Sequence, residues 1–160
     1  MFFFGPYSVY ICIILDYDTN LEQAYIIFRL GTYSRNLRNE LTSSRKIYFW
    51  DTGIRNALIA NFADTSTRND TGALWENYLI AERLKRNAYS SIWANSYFWR
   101  TVNQKEVDYL EDSDGTLSAW EFKWSPSGAN KTRFPLSFRN AYPDSPFSVI
   151  SPDTVEKFLL

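Results

Sequence analysis

Asp108, Glu121 and Lys123 are the residues whose types and spacing are best suited to chemistry. Between the two acids lies Asp114-Gly115, a strong signal for a two-residue hairpin turn, because a type I′ turn needs positive φ at both central positions. With that turn Ser113 faces Thr116, Asp108 falls directly opposite Glu121, and Glu106 directly opposite Lys123. Side chains alternate along a strand, so one face is expected to carry Glu106, Asp108, Leu110, Ala119, Glu121 and Lys123. The other face carries Val107, Tyr109, Trp120, Phe122 and Trp124, which suits a core. Carboxylates placed opposite each other repel. Lys123 offsets that in part, and a divalent cation between Asp108 and Glu121 offsets it fully, with oxygen ligands that suit magnesium or manganese. Such an ion positions water and stabilises charge on a phosphoryl group, while the lysine neutralises developing charge or orients the nucleophile. The plain alternative is a solvated hairpin face whose Glu106–Lys123 ion pair has little energetic value.

Composition narrows the chemistry further. The 160-residue chain contains no histidine, which excludes His-based triads, proton shuttles and His metal sites. Cys12 is the single cysteine, which excludes an intrachain disulfide and a cysteine-rich zinc site. Any metal must therefore sit on oxygen, and a reducing, cytoplasmic setting is the default expectation. A formal net charge of −1 excludes a uniformly basic surface but not a local basic face. Residues 1–14 are apolar but interrupted by Gly5 and Pro6, and the run ends at Asp16. That is shorter than the roughly 20 residues of a spanning helix and lacks the basic start of a signal peptide. No membrane partner is expected, and self-association through this apolar start is one use for it.

The elements that must position the hairpin can be read from periodicity and turn residues. Asn, Asp, Ser, Thr and Gly accumulate over residues 61–71 and divide the chain. The first part, 19–62, offers a short helical stretch at 20–23, a strand over 24–30, a polar basic loop, and a second strand over 46–50. Asp51-Thr52 then cap a helix carrying Ile54, Ala57 and Leu58. Two strands closing a basic loop beside a helix suggest a partial winged-helix-like unit. The second part, 63–160, has a helix over 72–86, strands over 96–101, 106–111 and 117–124, a helix within 130–141, and a strand over 147–150. The expected class is α/β in the α+β sense, with core order helix, three strands, helix, strand.

The segment EVDYLEDSDGTLSAWEFKW resembles the D…ExK pattern of the PD-(D/E)xK nuclease superfamily, with Asp108, Glu121 and Lys123 in the matching positions. Glu76, in GALWENYLIAERLKR, matches the acidic residue that members often carry on the preceding helix. A second resemblance runs through LEQAYIIFRLGTYSRNLRNE, RKIYFWDTGIRNAL, NDTGALWENYLIAERLKR, YFWRT, EVDYLED and AWEFKW. These blocks resemble the C-terminal domain of unknown function 4143 in bacterial and archaeal AAA-type ATPases, where a P-loop ATPase domain and a winged-helix segment come first. The chain has no G-x-x-x-x-G-K-[ST] motif, so the resemblance implies a C-terminal fragment, with ATP belonging to the missing N-terminal domain. Residues 1–18 are an unmatched apolar segment in this reading.

The resemblance implies a restriction-endonuclease-like core over 63–160, in which Asp108 and Glu121 hold Mg2+ or Mn2+. Glu76 then assists directly or through water, Lys123 steadies the phosphate or the attacking water, and Glu106 holds Lys123. Arg29, Arg35, Arg38, Arg45 and Lys46 on the presumed wing, and Arg100 further along, are candidates for phosphate contacts with DNA. Three functions follow as expectations: a metal-dependent DNA nuclease, a catalytically inactive module coupling an ATPase to a partner, and a DNA-binding module using the wing.

Overall fold

The computed structural model describes residues 19–34, 44–101, 103 and 105–160. A helical turn at residues 19–23 ends at Tyr25, whose positive φ of 54° redirects the chain into strand β1 (Ile27–Thr32). Strand β2 (Arg45–Phe49) pairs with it antiparallel. Asp51 then caps helix α1 (Thr52–Leu58), its Oδ1 accepting the Gly53 N–H at 2.6 Å and the Ile54 N–H at 3.3 Å. A Cβ at 53 would stand 2.8 Å from Asp51 Oδ1, so a larger residue there would have to displace the capping carboxylate.

Helix α2 (Thr71–Tyr89) follows, then β3 (Asn95–Arg100), β4 (Glu106–Ser113) and β5 (Thr116–Phe122). Asp70 stands at the N-cap of α2 but gives its carboxylate to Arg68 and Arg55, at 2.8 and 3.0 Å, and so ties α1 to α2. The helix expected within 130–141 is found only as α4 (Leu136–Ala141), and a separate helix that the sequence reading did not anticipate, α3 (Pro126–Lys131), precedes it. Pro135 separates them: it lacks an N–H, and its ring disfavours helical backbone at Phe134. Strand β6 (Phe147–Ile150), a 3-10 turn (Pro152–Thr154) and helix α5 (Glu156–Leu159) complete the chain.

The strands form one mixed sheet in the order β2-β1-β3-β4-β5-β6, with β1/β3 and β5/β6 parallel. The α+β class and the order helix, three strands, helices, strand from α2 to β6 are as expected. The hairpin anticipated as a wing is present, and β1 pairs with β3 through Gly31↔Tyr97 and Thr32↔Phe98. The chain on both sides of residues 61–71 therefore contributes to the same sheet.

Two apolar layers cover that sheet. Phe28, Leu30, Tyr48, Phe98, Tyr109 and Phe122 pack with Leu79 and Ile80 of α2 and Phe158 of α5. Trp99, Val107, Leu110, Leu117 and Ala119 pack with Phe138 and Tyr142, at α4 and its C-terminal end. Phe98 and Trp99 are neighbours on β3, so the two clusters occupy opposite faces. Burial of each large side chain is worth about 1.5–3 kcal/mol.

The β4–β5 hairpin has the register derived from its turn, from Ser113↔Thr116 to Tyr109↔Trp120, with positive φ at Asp114 and Gly115. Below Tyr109 it changes. Tyr97 and Trp99 are two apart on β3, whereas their partners Leu110 and Val107 are three apart on β4. This β-bulge shifts the alternation, so Val107 joins Leu110 on the α4 face instead of joining Tyr109.

One buried ion pair locks the α2 face. Glu111 accepts from Arg83 at 2.9 and 2.6 Å, from Asn87 at 2.7 Å and from the Tyr109 hydroxyl at 2.9 Å. Arg83 also donates to the Phe158 carbonyl and lies against the rings of Trp120 and Phe158. Burial alone would raise the Glu111 carboxyl, but Arg83, with Asn87 and Tyr109, together outweigh it and hold it below the usual range. Arg83→Met should therefore leave a buried carboxylate without its counter-charge and cost about 3–5 kcal/mol in urea unfolding. A loss under about 1 kcal/mol, as for a surface pair, would contradict this account.

Candidate functional site

The end of the hairpin opposite its turn holds the acidic residues. Here β4 follows β3, with Arg100 paired to Glu106, while β5 turns towards β6, with Lys123 N–H bonded to the Ile150 carbonyl at 2.9 Å. The two strands part. Asp108 reaches across, its Oδ2 accepting the Phe122 N–H at 2.9 Å. Its carboxyl lies against that of Glu121, close enough for a hydrogen bond between them when Asp108 is protonated. Burial, and then the Glu121 charge, push Asp108 up to about 7. Glu121 is buried and accepts from Lys123 Nζ at 2.9 Å. Burial pulls Lys123 down, but Glu121, Asp108 and Glu76 together hold it above its ordinary value.

A second part of the cluster comes from α2 and β2. Glu76 accepts from Lys46 Nζ at 2.9 Å and from the Tyr48 hydroxyl at 2.5 Å. Lys46 also pairs with Glu106, which accepts from Arg100 at 2.6 Å. Burial would lower Lys46, and Glu76 and Glu106 more than reverse it. Tyr48 is pushed well above its ordinary value by burial and by the charges of Glu76, Asp108 and Glu106. A cavity of about 360 Å3 lined by Lys46, Tyr48 and Glu76 opens beside them.

The sequence-derived site residues thus divide. Asp108, Glu121 and Lys123 are together, and Glu76 is close enough to influence Lys123. Glu106 is bonded to Lys46 and Arg100 and not to Lys123, because the bulge carries its part of β4 towards β3. Among the basic candidates, Arg29 pairs with Glu22 at 3.2 Å, and Lys46 and Arg100 serve the acidic cluster. Arg45 is exposed, and Arg35 and Arg38 lie outside the described residues. Trp99 is a core residue, edge-on to Phe138 at 5.1 Å. Tyr48 was missed by the sequence reading. Its signal was Lys46 and Tyr48 two apart on one strand, a pair that must share a face.

Residues 71–155, just over half of the chain, match the family model described as Domain of unknown function (DUF4143). The chain belongs to the DUF4143 family. A second model, Domain of unknown function (DUF8612), matches residues 14–65. No curated protein and no solved structure matches the chain. The DUF4143 span supplies Glu76, Glu106, Asp108, Glu121 and Lys123, and the DUF8612 span supplies Lys46 and Tyr48, so the cluster is assembled across both. No helix among the described residues is long and apolar enough to cross a membrane.

Among the described residues no three acidic groups converge as a ready cation cage. The Asp108–Glu121 pair still fits a magnesium ion, which commonly takes one or two carboxylates and completes its shell with water and phosphate oxygens. The pair also has the repulsion that a cation removes.

The raised Asp108 value gives a pH dependence with a definite sign. Between the ordinary carboxylate range and about 7 the folded chain retains a proton that the unfolded chain has released, so rising pH costs stability across that window. Asp108→Asn removes the cost. Its melting temperature should exceed that of the native chain most at about pH 8, and the gain should vanish below about pH 4. A gain of equal size at both ends would show that Asp108 holds no such proton.

Proposed function

We propose that this DUF4143 chain is a nuclease-like domain that hydrolyses DNA phosphodiesters with magnesium or manganese at Asp108 and Glu121. The observation that carries the reading is the meeting of these two carboxylates where β4 and β5 part, with Lys123 bonded to Glu121. The D…ExK pattern and the resemblance to the C-terminal domain of AAA-type ATPases support it, and ATP would belong to a separate P-loop domain.

Asp108 and Glu121 would hold the ion, which when bound supplies a polarised phosphoryl oxygen and a more acidic water. The chain's own residues do the rest. Lys123 presents a cation beside the pair and neutralises charge on a non-bridging oxygen as the phosphorus becomes five-coordinate. Glu76 is held by Lys46 and Tyr48, which orient it towards the Lys123 side of the cluster. Desolvation of Glu121 strengthens these interactions relative to water.

One observation favours a second reading, a catalytically inactive module that couples an ATPase to a partner. Glu76 is already occupied by Lys46 and Tyr48, so the cluster is neutralised largely by its own lysines.

Cleavage of labelled single-stranded, duplex and branched DNA with Mg2+ or Mn2+ separates the two readings. The native chain should cut at least one substrate, Asp108→Ala should not, and Lys123→Ala should be slower by about 10²–10³-fold. The same ions should raise the native melting temperature, with stabilisation of about 2.7 kcal/mol at a hundredfold excess over Kd. No cleavage, and melting unaffected by either ion, would leave the coupling module.

A further inference from the structure

A group of exposed, unpaired cations of the described chain lies outside the residues that the motifs single out. No Asp or Glu occurs between Glu121 and Asp144, whereas Lys123, Lys131, Arg133 and Arg139 all fall in that stretch. Lys131, Arg133 and Arg139 are exposed, as is Lys105 on the loop between β3 and β4. Among the described residues none of these four lies within 4 Å of a carboxylate. Arg29, Lys46 and Arg100, by contrast, are each paired with an acid.

Lys105 and Arg133 line one cavity of about 620 Å3, between the β3–β4 loop and the link from α3 to α4. Asn103 and Ser137 add polar side chains to its wall, and Phe134 and Leu136 add apolar surface. Leu136 is 69% exposed, and the Arg139 guanidinium lies over the Phe134 ring at 4.9 Å. Unpaired cations, hydrogen-bonding side chains and an apolar surface within one concavity match a nucleic-acid strand, which offers a phosphate and a base face at every step. A membrane surface would ask for a flat or convex basic patch with larger apolar groups.

The cavity is also joined to the acidic cluster by the chain itself. Thr101 follows Arg100 and Lys105 precedes Glu106, so one wall grows from the strand ends that border the cluster. The other wall belongs to the segment that leaves Lys123, and a Cβ built at Gly128 of α3 would stand 3.8 Å from the Lys123 Cβ.

We propose that the cavity between the β3–β4 loop and the α3–α4 link binds the backbone of a nucleic-acid single strand, with Lys105 and Arg133 on its phosphates. The inference extends the nuclease reading to a strand path, and the binding stands whether or not the carboxylates cut.

The test is fluorescence anisotropy of a labelled single-stranded oligonucleotide in EDTA, titrated over a range of salt concentrations, so that binding is read without cleavage. The native chain should bind, with log affinity falling linearly against log salt. Lys105→Gln and Arg133→Gln should each weaken binding several-fold at low salt and reduce the slope by about 0.7. Lys157→Gln, an equal charge change on α5, should alter neither. The proposal is overturned if the oligonucleotide does not bind, or if Lys157→Gln weakens binding as much as Arg133→Gln. It is equally overturned if anionic vesicles bind and the oligonucleotide fails to displace them. Loss of cleavage with binding intact would count against the metal site alone.

Discussion

The arrangement of the acidic end rests on the backbone pairing of β4, which has two neighbours that diverge. β3 keeps β4 bonded as far as Glu106, while β5 leaves it after Trp120 and goes on with β6. The extra residue between Val107 and Leu110 accommodates both demands. Without it Val107 would turn towards α2 and open a gap in the layer beneath α4, where it now packs with Leu110 and Leu117. With it the sheet opens beside Asp108, whose carboxylate takes up the Phe122 N–H. The position of that carboxylate is thus a consequence of strand pairing.

Charge follows from the same geometry. Glu76, Glu106 and Glu121 stand against Lys46, Arg100 and Lys123, and Asp108 is the acid in excess. A proton on Asp108 balances the group, and so does an added cation. Partial burial makes this balance matter more than it would at the surface, since charges removed from water must be matched locally. Glu111 is the contrasting case. It is as buried as Glu121 but meets a bidentate arginine, an amide and a hydroxyl, which leaves it no capacity for a ligand.

Much of this was legible in the residues. Asp114-Gly115 determines the hairpin register, because few other pairs adopt two consecutive positive φ values, and Asp51 with Gly53 marks the start of α1 through purely local bonds. The start of α4 was also marked, by Pro135, whereas α3 has no apolar spacing that would announce it. What could not be read were the outcomes of docking. Arg83 has Glu76 at helical spacing, yet its partner is Glu111 across the sheet, while Glu76 is taken by Lys46 and Tyr48 from β2. The bulge arises from competition between two strand partners, which no local pattern records. Lys46 reads as a loop-edge phosphate contact until β1 brings β2 beside α2.

The parallel junction of β1 with β3 has a consequence for how the chain acquires its shape. Gly31↔Tyr97 and Thr32↔Phe98 close a loop that includes β2, α1 and α2, and such closure loses chain entropy before its contacts give any return. The β4–β5 hairpin needs only its own turn and can form early. Lys46 and Tyr48 reach Glu76 only once β2 has docked beside α2. The acidic cluster therefore matures after the hairpin: Asp108 needs β4 paired with β3 as well as with β5, and Glu76 needs β2 beside α2.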